Sequence, residues 1–92
     1  MTEKAKHEEP PKPQNSFRVT LVLNQSLSRL DQILMEELRK QDRNSELKNI
    51  SRAKFKDLFK NNKIQIKGQT ARPSSAISRG TTYVDILGFS DI

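Results

Sequence analysis

The sequence predicts an α+β domain: two packed helices against a small antiparallel sheet. Three observations predict it. Apolar residues alternate with polar ones near both ends of residues 17–87, which is strand spacing. Two segments between those ends instead place apolar residues at helical spacing. Turn-forming residues separate the segments, so the order reads strand, helix, helix, strand, strand, strand. Helices grouped together, not alternating with strands, go with an antiparallel sheet.

Residues 1–16 are polar, hold three of the four prolines and show no apolar periodicity; they are expected to form a disordered tail ahead of a single domain at 17–92. From Phe17, the apolar Val19, Leu21 and Leu23 alternate with Arg18, Thr20 and Val22, predicting a strand with one buried face. Asn24-Gln25-Ser26 breaks it. Leu27, Leu30, Leu34 and Leu38, with Ile33 beside them, form one helical stripe. Ser28 is the expected N-cap, with Asp31 as the third helical residue facing the positive end of the dipole and Arg39 and Lys40 near the other end. Residues 39–49, RKQDRNSELKN, read as a helix end and connecting loop, with Leu47 touching the core.

Ser51 is the expected N-cap of a second helix, and Ile50 and Phe55 have the spacing of a hydrophobic staple. Phe55, Leu58 and Phe59 give this helix its buried face. Asn61-Asn62 stops it, because Asn tolerates left-handed backbone. Lys63 to Lys67 alternates with Ile64 and Ile66 inward, Gly68-Gln69 is expected to turn the chain, and Thr70 to Arg72 returns as a short strand ended by Pro73. Ser78-Arg79-Gly80-Thr81 forms another turn, and Thr82 to Leu87 the last strand.

Composition narrows the function. There is no Cys, and the one His, His7, lies in the expected tail, so thiolate chemistry, histidine catalysis and transition-metal binding are not expected, nor is a cofactor. No apolar run approaches a membrane span and the N-terminus has no signal-like apolar stretch, so a cytoplasmic location and no membrane partner are expected. Nothing points to a dimer seam, and a monomer is expected. The net charge is +6. Residues 39–67 carry ten basic residues against Asp42, Glu46 and Asp57, a local +7 that accounts for the whole excess. Charge concentrated this way points to a polyanionic partner.

Within that segment Arg52, Lys56 and Lys60 recur every four residues and form one ridge beside the buried face of the second helix. Lys63 and Lys67 follow on the outward side of the next strand, extending the track toward the hairpin. Like charges four apart weaken an isolated helix slightly, so a ridge kept at that cost favours a binding role. Aromatics are few, four Phe and one Tyr, and three Phe sit at core positions, which leaves little for stacking on single-stranded bases. The pattern suits recognition of folded or double-helical RNA.

Arg29-Leu30-Asp31 at the first helix, Ser51-Arg52 at the second, Ile64-Gln65-Ile66-Lys67-Gly68 into a hairpin, Arg72-Pro73-Ser74 after it, and Arg79-Gly80 before Tyr83-Val84-Asp85-Ile86 form an ordered set. The set resembles the RNA-binding domain of the ribosomal protein S-four type, the alpha-L motif, over about residues 17–87. With its leading strand it looks most like the version at the N-terminus of large-subunit RNA pseudouridine synthases. The resemblance implies binding of structured RNA, ribosomal or transfer RNA, through the two helices and hairpin. By matching positions it implicates Arg29, Ser51, Arg52, Lys67, Arg72 and Pro73; Lys56, Lys60 and Lys63 are added by the helical geometry. The connection between Asp31 and Ser51 is longer than is common in the family, Lys67 stands where Asn is frequent, and Thr81 stands where Asp is. The longer connection is expected to reshape the RNA surface and leaves the roles of Arg43 and Lys48 open.

Arg-Leu-Asp also surrounds the catalytic Asp of the related synthases. Here Ser28 precedes it and Gln32-Ile33-Leu34-Met35 follows, without the Thr-Ser-Gly of that motif, so Asp31 reads as a helix-start residue and no catalysis is expected. The other carboxylates show no pairing that suggests acid–base catalysis, and the Walker spacing with its Lys is absent. The alternatives are a protein-interaction adaptor reusing the fold and an accessory subunit of an RNA-modifying enzyme.

Overall fold

Apolar–polar alternation carries the chain from Ser16 to Leu23 as strand β1 (Ser16–Leu23) in the computed structural model, which describes residues 12–90. Helices α1 (Leu30–Lys40), α2 (Ser45–Lys48) and α3 (Arg52–Lys60) follow, then strands β2 (Ile64–Ile66), β3 (Gln69–Thr70) and β4 (Gly80–Leu87). The strands form one antiparallel sheet in the order β1-β4-β2-β3, so the last strand lies between the first and second. Phe17 faces Ile86 and Val19 faces Val84 across β1 and β4. Ile86 and Val84 in turn face Ile64 and Ile66 of β2. One face of the sheet is thus a grid of Phe, Val and Ile. Leu30, Leu34 and Leu38 of α1, Leu47 of α2, Ile50, and Phe55 and Phe59 of α3 are buried in the same core. Helices of 11, 4 and 9 residues are too short to persist alone in water, so this shared core is what holds them. No helix among the described residues is long and apolar enough to cross a membrane.

Several local expectations give way to long-range contacts. β1 starts at Ser16, inside the expected tail; the Ser16 hydroxyl donates to the Pro13 carbonyl and the Gly88 N–H to that of Asn15. The rest of the tail, residues 1–11, lies outside the described residues. Leu27 is not helical. It pairs with Ile77 through two backbone hydrogen bonds of 2.9 and 2.7 Å, an isolated antiparallel bridge. Ser28 is not the cap of α1: Arg29 occupies that position without a side-chain cap bond, which makes Asp31 the second helical residue, not the third. The reason lies more than 40 residues away in sequence, where the carbonyls of Ser75 and Pro73 accept from the Leu30 and Asp31 N–H groups at 3.1 and 3.0 Å. With those orphan donors met by backbone, no capping hydroxyl is needed.

The connection after α1 is more ordered than a loop. Asn44 caps α2 by accepting from Leu47 N–H at 2.9 Å and ties it to the C-terminal segment through the Ser90 carbonyl at 2.8 Å. Gln41 accepts from the N–H groups of Arg43 and Asn44. Ser51 caps α3 as expected, accepting from Lys54 N–H at 3.2 Å, and both staple residues, Ile50 and Phe55, are buried. At its other end Asn62 adopts φ 61°; its N–H donates to Phe59 and that of Lys63 to Leu58, a Schellman motif. The hairpin turns at Lys67-Gly68, one residue earlier than expected. Both have positive φ (55° and 78°), as a two-residue type I′ turn requires, and Gln69 joins β3. β3 ends at Thr70, and β4 begins at Gly80, not Thr82.

The sheet's second face holds a further surprise. Arg18, assigned to the solvent side by alternation, is buried and donates twice to Asp85 on the neighbouring strand, at 2.8 and 2.9 Å. Its guanidinium stands 5.3 Å from the centre of the Tyr83 ring.

Candidate nucleic-acid interface

α3 places the ridge. Phe55 and Phe59 are one turn apart and both buried, with their rings in edge-to-face contact at 5.3 Å. That rotation leaves Arg52, Lys56 and Lys60 exposed along the adjoining face. Between this ridge and the first turns of α1 runs a groove of about 260 Å³, lined by Asp31, Gln32 and Met35 on one side, Arg52, Phe55, Lys56 and Phe59 on the other, and Pro73. It continues along Lys56, Phe59 and Lys60 toward Arg72 and Pro73. Arg52, Lys56, Lys60, Arg72 and Pro73 therefore meet on one surface, although Arg72 lies 20 positions after Arg52 in the chain.

The turn is held firmly in place. Arg72 N–H donates to Ser75 Oγ at 2.8 Å and Ser75 N–H to the Arg72 carbonyl at 3.0 Å, while the Pro73 and Ser75 carbonyls cap α1. The same bonds that start α1 therefore hold the turn carrying Arg72 against the ridge.

Asp31 lines the groove, and Arg29 pairs with it. The guanidinium donates to both carboxylate oxygens, at 3.1 and 2.9 Å. That hydrogen bond holds the Asp31 carboxyl below the usual carboxylate range and raises the Arg29 guanidinium, so Asp31 stays ionised at neutral pH. Ser51, Lys63 and Lys67 lie apart from the groove. The Ser51 hydroxyl is engaged as the α3 cap. Lys63 is exposed just ahead of β2. Lys67, in the hairpin turn, lines a separate depression with Arg79 and Tyr83.

The ten cations of residues 39–67 divide by role. Arg39 donates to the Lys48 and Ile50 carbonyls, and Lys40 and Lys48 pair with Glu37 and Asp42. Arg43 donates to the Arg18 carbonyl at 2.7 Å and lies over the Phe17 ring at 4.3 Å. Of the two residues whose roles the sequence leaves open, Arg43 thus ties the connection to β1, while Lys48 pairs with Asp42 inside the connection itself. Arg52, Lys54, Lys56, Lys60, Lys63 and Lys67 form no ion pair among the described residues. The unneutralised charge is therefore concentrated on α3 and the hairpin.

Sequence reading missed Gln32 and Met35 as groove residues. Both sit one position off residues of the α1 stripe, a displacement that only the packing of α3 makes meaningful. Among the described residues no group of three or more His, Cys, Asp or Glu is placed to hold a metal. No family model, no curated protein and no solved structure matches the chain.

Proposed function

We propose that this protein is a non-catalytic binder of structured RNA, ribosomal or transfer RNA, with an arrangement of the alpha-L, S-four type. The observation that carries the reading is the ridge of Arg52, Lys56 and Lys60, exposed and without ion pairs among the described residues, running beside Arg72 and Pro73 along one groove. A linear array of unneutralised cations on a rigid helix follows a phosphate backbone, and each phosphate it neutralises releases counterions. A cation kept for solubility alone has no need of a shared line. Arg39, Lys40, Arg43 and Lys48 of the same segment are spent on carbonyls and carboxylates, whereas these three are not. Asp31, the carboxylate of the groove, is held ionised by Arg29, which suits orienting a cation better than exchanging a proton.

The test is crosslinking in cells followed by sequencing of the bound RNA, with an Arg52→Glu/Lys56→Glu variant alongside. Enrichment of a defined ribosomal or transfer RNA site, lost in the variant, is the expected outcome. Equal and diffuse recovery by both proteins would refute the reading and direct the search to a protein partner.

A further inference from the structure

The groove between α1 and α3 is chemically unlike the ridge beside it. Its apolar lining is Met35, Phe55, Phe59 and Pro73; cations Arg52 and Lys56 stand on one wall; the opposite wall carries Asp31 and Gln32. A phosphate fits poorly inside, because the ionised Asp31 repels it and the apolar lining cannot solvate it. What such a groove accepts is a neutral, flat group with apolar faces and a polar edge, attached to a chain whose phosphates stay on the cationic side. We propose that it receives one unpaired base of the RNA, and that the base carries an exocyclic amine. The inference rests on the RNA-binding reading above and adds to it that the ligand is an interrupted helix, not an unbroken duplex.

The size agrees. Pockets for drug-sized molecules run from roughly 300 to 1,000 Å³, and about 260 Å³ suits a single ring system. An already unpaired nucleotide enters at the least unstacking cost.

The hydrogen-bonding groups select among bases. Asp31 Oδ1 already accepts from Arg29 Nε and Gln32 N–H, and Oδ2 from Arg29 Nη2. A carboxylate oxygen takes about two donors, so Oδ2 keeps one position open. The Gln32 side-chain amide makes no hydrogen bond among the described residues, and Gln32 is exposed and lines the same groove. Oδ2 accepts from an amine. The Gln32 amide can present either its oxygen or its nitrogen, matching the donor next to the amine in guanine or the acceptor next to it in adenine and cytosine. Uracil has no amine, and its single edge N–H lies between two carbonyls that the carboxylate repels.

The test uses the whole protein, labelled with ¹³C in its methionine methyl groups, and three probe hairpins: an unbroken stem, the same stem with one bulged adenine, and the same stem with one bulged uracil. The chain has two methionines, so Met35 reports the groove and Met1 serves as reference. Expected are binding of the adenine bulge at least tenfold tighter than of the other two, and a shift of the Met35 methyl signal with that RNA alone. Asp31→Asn, checked for folding by circular dichroism, brings the adenine-to-uracil ratio toward one, since an amide can also donate to a uracil carbonyl. Affinities within twofold of one another for all three hairpins, still lost in Arg52→Glu/Lys56→Glu, would overturn the inference and leave the RNA-binding reading standing. Absence of salt-sensitive binding to any hairpin would overturn both.

Discussion

Replacing Phe55 by alanine tests the packing on which the interface depends. Phe55 is 5% exposed, closes the staple with Ile50 and meets the Phe59 ring edge to face at 5.3 Å. Truncating a buried Phe costs about 3–5 kcal/mol, partly from lost burial and partly from the cavity left behind. The lost ring pair alone accounts for roughly 0.5–1.5 kcal/mol of it. For a domain of this size each kcal/mol moves the midpoint by about 4–8 °C. A loss of about 4 kcal/mol therefore lowers Tm by roughly 16–32 °C. Against a typical total of roughly 5–15 kcal/mol, that removes much of the stability. Urea and thermal melts followed by circular dichroism read the effect directly, with Lys60→Ala as the exposed control on the same helix, expected within about 0.5 kcal/mol of the parent. A Phe55→Ala loss under about 1 kcal/mol would refute the register of α3, and with it the placement of Arg52, Lys56 and Lys60 on one exposed ridge.

Three further outcomes follow from particular contacts. Lys67 holds φ 55° in the hairpin turn, a conformation that costs an ordinary L-residue about 1–2 kcal/mol and that Asn tolerates better. Lys67→Asn should therefore stabilise the fold by roughly 0.5–1 kcal/mol in a urea melt, and a destabilisation would show that the lysine side chain, not the turn, governs this position. Arg29 lowers the folded Asp31 carboxyl below its unfolded value of about 4. The stability from this pair is thus full above that value and lost as pH falls through the lower folded one. The Tm gap between the protein and Asp31→Asn should hold steady from about pH 7 to 5 and close below about pH 4; a gap unchanged at pH 2 would contradict the pairing. Finally, Lys60→Ala should reduce the slope of log affinity for RNA against log salt by about 0.9, the share of one phosphate contact on a duplex. An unchanged slope would remove Lys60 from the interface.

Much of the fold is written locally. The Leu30, Leu34 and Leu38 stripe, the Ser51 cap with its Ile50–Phe55 staple, the Asn61-Asn62 stop and the alternation of Ile64 and Ile66 are set by residues within one or two turns of each other, so each can be read from a short window. The ridge is legible for the same reason: Arg52, Lys56 and Lys60 follow from helical periodicity once Phe55 and Phe59 are placed inward. The misread features share a different cause. Leu27 fits the α1 stripe by spacing, but Ile77 offers it a backbone partner. Ser28 has the chemistry of a cap, but Pro73 and Ser75 supply the carbonyls first. Arg18 fits a solvent-facing position, but the register with β4 sets Asp85 opposite it.

The sequence by itself determined the α+β class, the order of the main elements and the line of charge on α3, because these depend on periodicity and on caps within a few residues. Only the tertiary structure decided which cations remain available and what stands opposite them. Arg39, Arg43 and Lys48 are consumed by carbonyls and a carboxylate, whereas Arg72 and Pro73 are brought to the ridge by the backbone bonds that start α1. A hydrogen bond across 40 or more residues leaves no periodic trace in the chain; it exists only once the sheet and helices have closed around the same core.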